Sequence, residues 1–372
     1  MAGAAAAPDL DQPLARETRG GRDARVGPEA IGRFADIVDV RTPSEFATDH
    51  LPRAVNAPVL SDAERAEVGT LNAKVSAFEA RKRGATLISR NLAGILERFA
   101  DRPRDFAPLV YCWRGGQRSR SLVHVMHEIG WRATRLDGGY RAYRRYVVER
   151  LAALGGAFDY RVVCGLTGSG KSRLLAALAR ESAQVLDLEA LARHRGSLLG
   201  ELPEAPQPSQ KAFEGAMLRV LEGFDARRPV FVESESRRIG RLEVPAHLLL
   251  RMRASPAIRL DLDRAGRVAL LKEEYVHLIR DPALLASCLA PLVPLHGKAS
   301  VERWNALARE GEIDALVDAL LDEHYDPTYA RAIERNFPHY PQALVVRADD
   351  AGHEAFARTA RSVIEMTKDE IR

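Results

Sequence analysis

The sequence predicts two consecutive α/β domains, each on a parallel sheet, followed by a mainly helical C-terminal part. Three observations carry this. Short β-branched runs alternate with segments of helical apolar spacing. Two glycine-rich loops, Cys112–Ser119 and Gly165–Ser172, each lie between an apolar strand and an apolar helix. From about Ala265 the spacing is helical almost to the end, with one extended stretch at Ala343–Val346.

Residues 1–28 are rich in Ala, Gly, Arg and Asp without periodicity and are expected to form a disordered tail. The first domain is expected over 29–145. Ile37–Val40 reads as a buried strand, and Thr86–Phe99 sets Leu87, Ile88, Leu92, Ile95, Leu96 and Phe99 at helical spacing. Pro108–Tyr111 is a second strand that runs straight into Cys112, and Ser119–Ile129 is a helix closed by Gly130. A basic helical linking stretch over Tyr140–Ala153 follows, broken by Gly155-Gly156, with the linker between the domains at 146–157. The second domain is expected over 158–290. It opens with the strand Tyr160–Cys164, the second loop and a helix over Lys171–Arg180. Further strands are expected at Gln184–Leu188, Pro229–Val232 and Ala257–Leu262, with a proline-rich loop at Leu202–Ser209. Residues 291–372 are expected to be a mainly helical extension. No internal repeat is evident.

A length of 372 residues, 46% hydrophobic and 28% charged, exceeds one ordinary core and fits a soluble globular protein. The net charge is only +4, yet arginines cluster at Arg81 and Arg83, at Arg141, Arg144 and Arg145, and at Arg237, Arg238 and Arg241. Any one cluster reads as a solvated helix face; several beside phosphate-type loops leave room for a polyanionic partner such as RNA. The three cysteines include no C-x-x-C pair, so no metal site is expected, and a sparse odd set fits a reducing cytoplasm. The N-terminal Met-Ala-Gly run lacks a basic leader. No segment reads as apolar for long enough to span a bilayer, so no membrane partner is expected.

Cys112 stands at the carboxyl end of a strand and before a helix, where backbone N–H groups converge and favour a thiolate. Gly115 and Gly116 let the backbone curl inward, and Arg114 and Arg118 can add charge-assisted hydrogen bonds to an oxyanion. A buried inert cysteine is the bland alternative, and the Gly-Gly-x-Arg-Ser context weighs against it. The second loop, Gly165-Leu166-Thr167-Gly168-Ser169-Gly170-Lys171-Ser172, is a full G-x-x-x-x-G-K-S match in its required context. Its amides cradle phosphates, Lys171 reaches them, and Ser172 is positioned in the motif to hold Mg2+. The acidic partner is expected at Glu233 and Glu235 after the strand Pro229–Val232, with Asp187 second. Each reads equally well as an exposed carboxylate at a strand end. Cys164 and Cys288 read as core.

Asp39–Phe46, Asp49–Asn56 and Leu136–Tyr140 resemble the successive signatures of rhodanese domains, with Arg53 where glycine is usual. That resemblance implies a transferable chalcogen carried on Cys112. Five residues separate Cys112 from Arg118, one more than the common sulfurtransferase loop, a spacing shared with cysteine phosphatases and suited to a phosphate-bearing donor. Over nearly its whole length the chain resembles the tRNA 2-selenouridine synthase family, on Pro58–Thr70, Tyr111–Gly116, Asp187–Ser197, Gln207–Gln210 and Glu233–Gly240. The resemblance implies replacement of the sulfur of wobble 2-thiouridine in tRNA by selenium from selenophosphate. It also implies S-geranylation from geranyl diphosphate, with an enzyme that makes selenophosphate as a candidate partner. Cys112 would take up selenium and deliver it to carbon 2 of the base. Lys171 and its loop would hold the diphosphate, although the motif alone does not choose between a prenyl diphosphate and a nucleotide. His194, Arg195 and Ser197 receive no role. Two rivals stand beside this reading: a cysteine phosphatase or sulfurtransferase fused to a small-molecule kinase, and a non-catalytic RNA- or nucleotide-binding protein.

Overall fold

The computed structural model describes residues 24–369 apart from 198, 203 and 204. They divide into two units between Tyr146 and Val147. The first unit contains β1 (Arg25–Val26), β2 (Ile37–Asp39), α1 (Pro43–Thr48), β3 (Val55–Asn56), α2 (Asp62–Lys74), α3 (Ala77–Glu97), β4 (Leu109–Tyr111), α4 (Gln117–Ile129), β5 (Thr134–Leu136) and the start of α5 (Gly139–Gly155). Its five strands form one parallel sheet in the order β1-β5-β4-β2-β3. β2 and β4 lie at its centre and are buried throughout, which is why they read as unbroken apolar or β-branched runs. Capping boxes start α1 (Thr42 with Glu45) and α2 (Ser61 with Glu64).

Of the tail expected over 1–28, residues 1–23 lie outside the described residues, whereas Arg25–Val26 form a strand. It does so because β5 offers an open edge: the Arg135 N–H donates to the Ala24 carbonyl and the Asp137 N–H to that of Val26, each at 2.9 Å. The helix expected over Thr86–Phe99 begins at Ala77, where Ser76 caps it. Helix α2 was not foreseen, because none of its residues is buried and no apolar stripe marks it. The helical stretch expected over Tyr140–Ala153 is α5, which runs from Gly139 to Gly155 and so through most of the linker expected over 146–157.

The second unit contains β6 (Tyr160–Cys164), α6 (Lys171–Arg180), β7 (Gln184–Leu186), α7 (Leu188–Ala192), α8 (Gln210–Glu222), β8 (Val230–Glu233), the hairpin β9 (Arg238–Ile239) and β10 (Leu242–Glu243), α9 (Ala246–Arg253) and β11 (Ala257–Asp261). There follow α10 (Arg264–Glu274), α11 (Val276–Ile279), α12 (Pro282–Leu289), α13 (Val293–Glu310), α14 (Ile313–Leu320), α15 (Asp326–Asn336), β12 (Leu344–Arg347) and α16 (His353–Asp369). A second parallel sheet has the order β12-β11-β6-β8-β7. β6, which leads into the phosphate loop, is its central strand and is buried throughout.

The helical extension expected from residue 291 is not a separate piece. β12 pairs with β11 along Ile258–Asp261, and α16 packs on α6, burying Phe356, Ala360 and Val363 beside Leu174 and Leu178. A second core forms among α10 to α14 around Trp304, with Leu271, Leu285, Leu316 and Leu320. Contrary to expectation, one helical run, Pro282–Glu310, is long and apolar enough by length and composition to cross a membrane. It is interrupted by a 3-10 turn at Ala290–Leu292 and by Gly297, whose φ of 81° and ψ of 159° are not helical. Its Leu285, Leu289, Leu292 and Trp304 are buried in the helical core. Within the proline-rich loop, residues 203 and 204 lie outside the described residues.

Candidate functional site

Strand β4 delivers Cys112 to the start of a loop that ends at the N-terminus of α4. The thiol is buried, and its sulfur accepts the Gly116 N–H at 3.2 Å and lies 3.3 Å from Ser119 Oγ. Gly115 takes φ 65°, and the Arg135 guanidinium donates to its carbonyl at 2.8 Å. Gly139 lies directly beneath the loop. A Cβ at that position would come within 2.3 Å of the Cys112 carbonyl oxygen and 2.4 Å of the Gly115 nitrogen, both backbone atoms. The Gly-Gly-Tyr segment is thus the floor of the cysteine loop, held by the Tyr140 N–H donating to the Cys112 carbonyl.

The other signature residues brace this floor. Arg41 is buried, pairs with Asp39 at 2.6 Å and stacks over the Tyr140 ring at 3.9 Å. The Tyr111 hydroxyl donates to Asp39 and the Tyr140 hydroxyl to Asp49. Of the two predicted oxyanion donors, Arg114 is exposed on the loop and makes no hydrogen bond or ion pair among the described residues. Arg118 is engaged instead with Glu45 at 2.6 Å. Burial alone would raise the Glu45 carboxyl, but the Arg118 hydrogen bonds and charge outweigh it and hold it below its ordinary value. An anion in the loop would compete with Glu45 for Arg118.

In the second unit, Gly168 (φ 76°) and Gly170 (φ 86°) turn the backbone of the phosphate loop through left-handed conformations. Lys171 and Ser172 open α6. The Lys171 ammonium donates to the Gly165 carbonyl at 3.1 Å and faces the Tyr329 ring. Thr167 Oγ1 and Ser169 Oγ are buried without a hydrogen-bond partner, as in a cradle shaped for an absent acceptor. Arg267 ties the loop to the helical part: it donates to the Thr167 carbonyl at 2.9 Å and pairs with Asp326. A cavity of about 370 Å3 opens above the loop, reaching Lys171, Ser172, Asp187 and Glu189.

The carboxylates sit differently from expectation. Ser172 Oγ donates to Glu189 at 2.7 Å, so Glu189, at the start of α7, is the carboxylate on the motif serine. Glu233 is buried one layer behind, where it accepts the Glu189 backbone N–H at 2.8 Å while its other oxygen is unpartnered. Glu235 is also buried beside Glu189; Gly196 lies against the pair, since a Cβ there would meet both carboxylates. Asp187 lines the cavity and caps α7 through the Ala190 N–H. Burial, and then the neighbouring charge of Glu189, push Glu235 up to about 8 against the opposing pull of Lys171. Burial and three acidic neighbours push Glu233 well above its ordinary range, and burial chiefly raises Asp187.

A divalent cation would have Glu189, on the motif serine, as its nearest carboxylate, with Asp187 in the same wall. No three His, Cys, Asp or Glu side chains converge as a ligand set among the described residues. A Mg2+ bound here fits the Ser172 hydroxyl, one carboxylate and the oxygens of a bound phosphate, with waters completing its shell.

Glu189 lies inside the Asp187–Ser197 segment, and its signal in the sequence is an acidic residue just past the end of a strand and its Asp187 cap. His194, Arg195 and Ser197 now have a location, in the wall of the phosphate cavity. Burial lowers the His194 imidazole, whose Nδ1 accepts the Gly196 N–H. Arg237 and Arg238 share Glu243, in the hairpin β9–β10.

Comparison with known proteins agrees with both halves. A family model described as the tRNA 2-selenouridine synthase AAA domain matches residues 158–286, and one described as a rhodanese-like domain matches residues 28–146. The chain is 35% identical over 327 residues to a tRNA 2-selenouridine synthase of Cupriavidus necator, covering 79% of this chain and 87% of that one. It is 36% identical over 334 residues to the protein of the same name in Marinobacter nauticus, again covering 79% and 87%. With that of Bdellovibrio bacteriovorus it shares 36% identity over 249 residues, 64% of each chain.

Proposed function

The chain belongs to the tRNA 2-selenouridine synthase family, an enzyme family of tRNA modification, and on that premise we propose how its two loops divide the reaction. The enzyme replaces the sulfur of wobble 2-thiouridine by selenium from selenophosphate, through an S-geranylated base made from geranyl diphosphate. It works in the cytoplasm on tRNA and draws its donor from a selenophosphate-producing enzyme. The observation that carries this reading is the pairing, in one chain, of a sulfur held by amide and hydroxyl groups at a helix N-terminus with a phosphate cradle whose hydroxyls are unpartnered.

In the geranylation step the base sulfur attacks carbon 1 of geranyl diphosphate. A carbon–sulfur bond forms, the carbon–oxygen bond breaks, and its electrons leave on pyrophosphate. Lys171, the loop amides and Ser172 stabilise that leaving charge, assisted by Mg2+ when it is bound. Alkylation turns the sulfur into a leaving group. In the selenation step the Cys112 thiolate attacks the selenium of selenophosphate, held by Arg114, Arg118 and the loop amides. A sulfur–selenium bond forms, the selenium–phosphorus bond breaks, and its electrons leave on phosphorus, as phosphite. The terminal selenium then attacks carbon 2 of the base and expels geranylthiolate. A small thiol cleaves the remaining sulfur–selenium bond, leaving selenium on the base and a disulfide on Cys112.

Nucleoside mass spectrometry tests the division. Cys112→Ser is expected to abolish 2-selenouridine while S-geranyl-2-thiouridine still forms, and Lys171→Ala to abolish geranylation. Selenation at the wild-type rate in Cys112→Ser would exclude a role for the thiol. Phosphorus NMR tests the carrier step itself: phosphite accompanies it, whereas phosphate alone would mean that selenium reaches the base with its phosphorus still attached.

A further inference from the structure

Beside the phosphate cavity the second unit holds an apolar one, and we propose that it takes the hydrocarbon chain of the prenyl diphosphate and limits it to two isoprene units. This rests on the preceding reading that a diphosphate binds at Lys171 and Ser172. The two cavities meet, since Thr167, Leu271 and Tyr275 line both. From that shared mouth one leads to Lys171, Ser172 and Glu189. The other is walled by side chains of α11, α12 and α14, among them Leu278, Leu285, Leu316 and Val317. A nucleotide base would need several hydrogen-bonding partners, but apart from the hydroxyls of Thr167 at the mouth, Tyr275 and Tyr325 this wall is hydrocarbon, and the Tyr275 hydroxyl is engaged by Ser197 Oγ at 2.9 Å. A hydrocarbon chain gains by leaving water for such a surface in proportion to the area it buries.

Size then sets chain length. The free space in the apolar cavity is about 50 Å3. One water-sized sphere needs roughly 10–15 Å3 of such space, so the cavity admits about three to five, near the bulk of one isoprene unit. With the first unit at the shared mouth, the second fills the cavity and a third meets its wall.

Titration calorimetry on the full chain with Mg2+ tests this, using inorganic pyrophosphate, geranyl diphosphate, farnesyl diphosphate and ATP. Geranyl diphosphate should bind roughly 100-fold tighter than pyrophosphate, and about tenfold tighter than farnesyl diphosphate. Val317 is half-buried, so Val317→Trp fills the cavity from its edge. That variant should bind geranyl diphosphate no better than pyrophosphate, with pyrophosphate affinity unchanged, which also reports an intact fold. Leu316→Ala should narrow the preference against farnesyl diphosphate. If pyrophosphate and geranyl diphosphate bind alike in the wild type, or Val317→Trp keeps the preference, the chain pocket is refuted while the diphosphate site stands. If pyrophosphate does not bind, or ATP binds tighter than geranyl diphosphate, the diphosphate reading falls with it.

Discussion

Arg53 occupies a position where φ is 63°. The resemblance to rhodanese domains puts glycine there, and the backbone gives the reason: a left-handed conformation strains any residue with a Cβ. Arg53→Gly is expected to raise stability by up to about 0.5 kcal/mol in chemical denaturation, after the entropy cost of glycine and the lost exposed bond to the Phe34 carbonyl are subtracted. Gly139 is the opposite case, since a Cβ there would overlap backbone atoms of the cysteine loop on a residue with φ 58°. Gly139→Ala should cost roughly 2–4 kcal/mol and change the rate at which Cys112 is alkylated by iodoacetamide. Unchanged alkylation would show that the segment is no floor to the loop. Both glycine positions stood out in the sequence, but only the backbone angles say what each is for. Arg118 was legible as a loop residue; its engagement with Glu45, 73 positions away in the chain, was not.

At the scale of elements, the phosphate loop depends on a helix far from it in sequence. A Cβ on Gly170 would sit 2.3 Å from the ring of Phe356, in α16, and that ring is buried. Phe356→Ala should destabilise the second unit by about 3–5 kcal/mol and weaken pyrophosphate binding at Lys171, measured by calorimetry. If it destabilises the unit but leaves pyrophosphate affinity intact in the folded fraction, α16 acts on the fold alone. Strands β2, β4, β6 and β8 were readable because burial on both faces demands near-continuous apolar runs, and β11 because Ala257, Ile258 and Leu260 are apolar around the exposed Arg259. β1 was not, because two residues at a sheet edge carry no pattern. Asp187 reads as the fourth residue of a strand, but the strand ends at Leu186 and Asp187 caps the next helix, which brings Glu189 round onto Ser172.

Across the whole molecule, the second unit keeps a group of carboxylates out of water, and this makes its stability depend on pH. Glu235 titrates at about 8 in the fold and near the usual 4.3 when unfolded. Between those values the folded chain binds more protons than the unfolded one, so stability falls as pH rises from about 5 to about 8. Scanning calorimetry should record a fall in Tm across that window, about 2–4 °C for each kcal/mol lost in a unit of this size. Glu235→Gln should flatten the slope; a slope that persists in this variant would assign the effect to other groups. Added Mg2+ with pyrophosphate should oppose the fall by compensating the same charges.

The sequence by itself determined the two parallel sheets, the two loops and the residues that carry chemistry in each. Local rules suffice for these, because a strand running into a glycine-rich turn and a helix needs only neighbours in the chain. The tertiary structure decided which carboxylate meets Ser172, what lies beneath the cysteine loop, and that the C-terminal strand and helix complete the second sheet. Each of these rests on contacts between residues distant in sequence. Such contacts are fixed by burial and by the pairing of buried polar groups, and a single chain of letters does not display them.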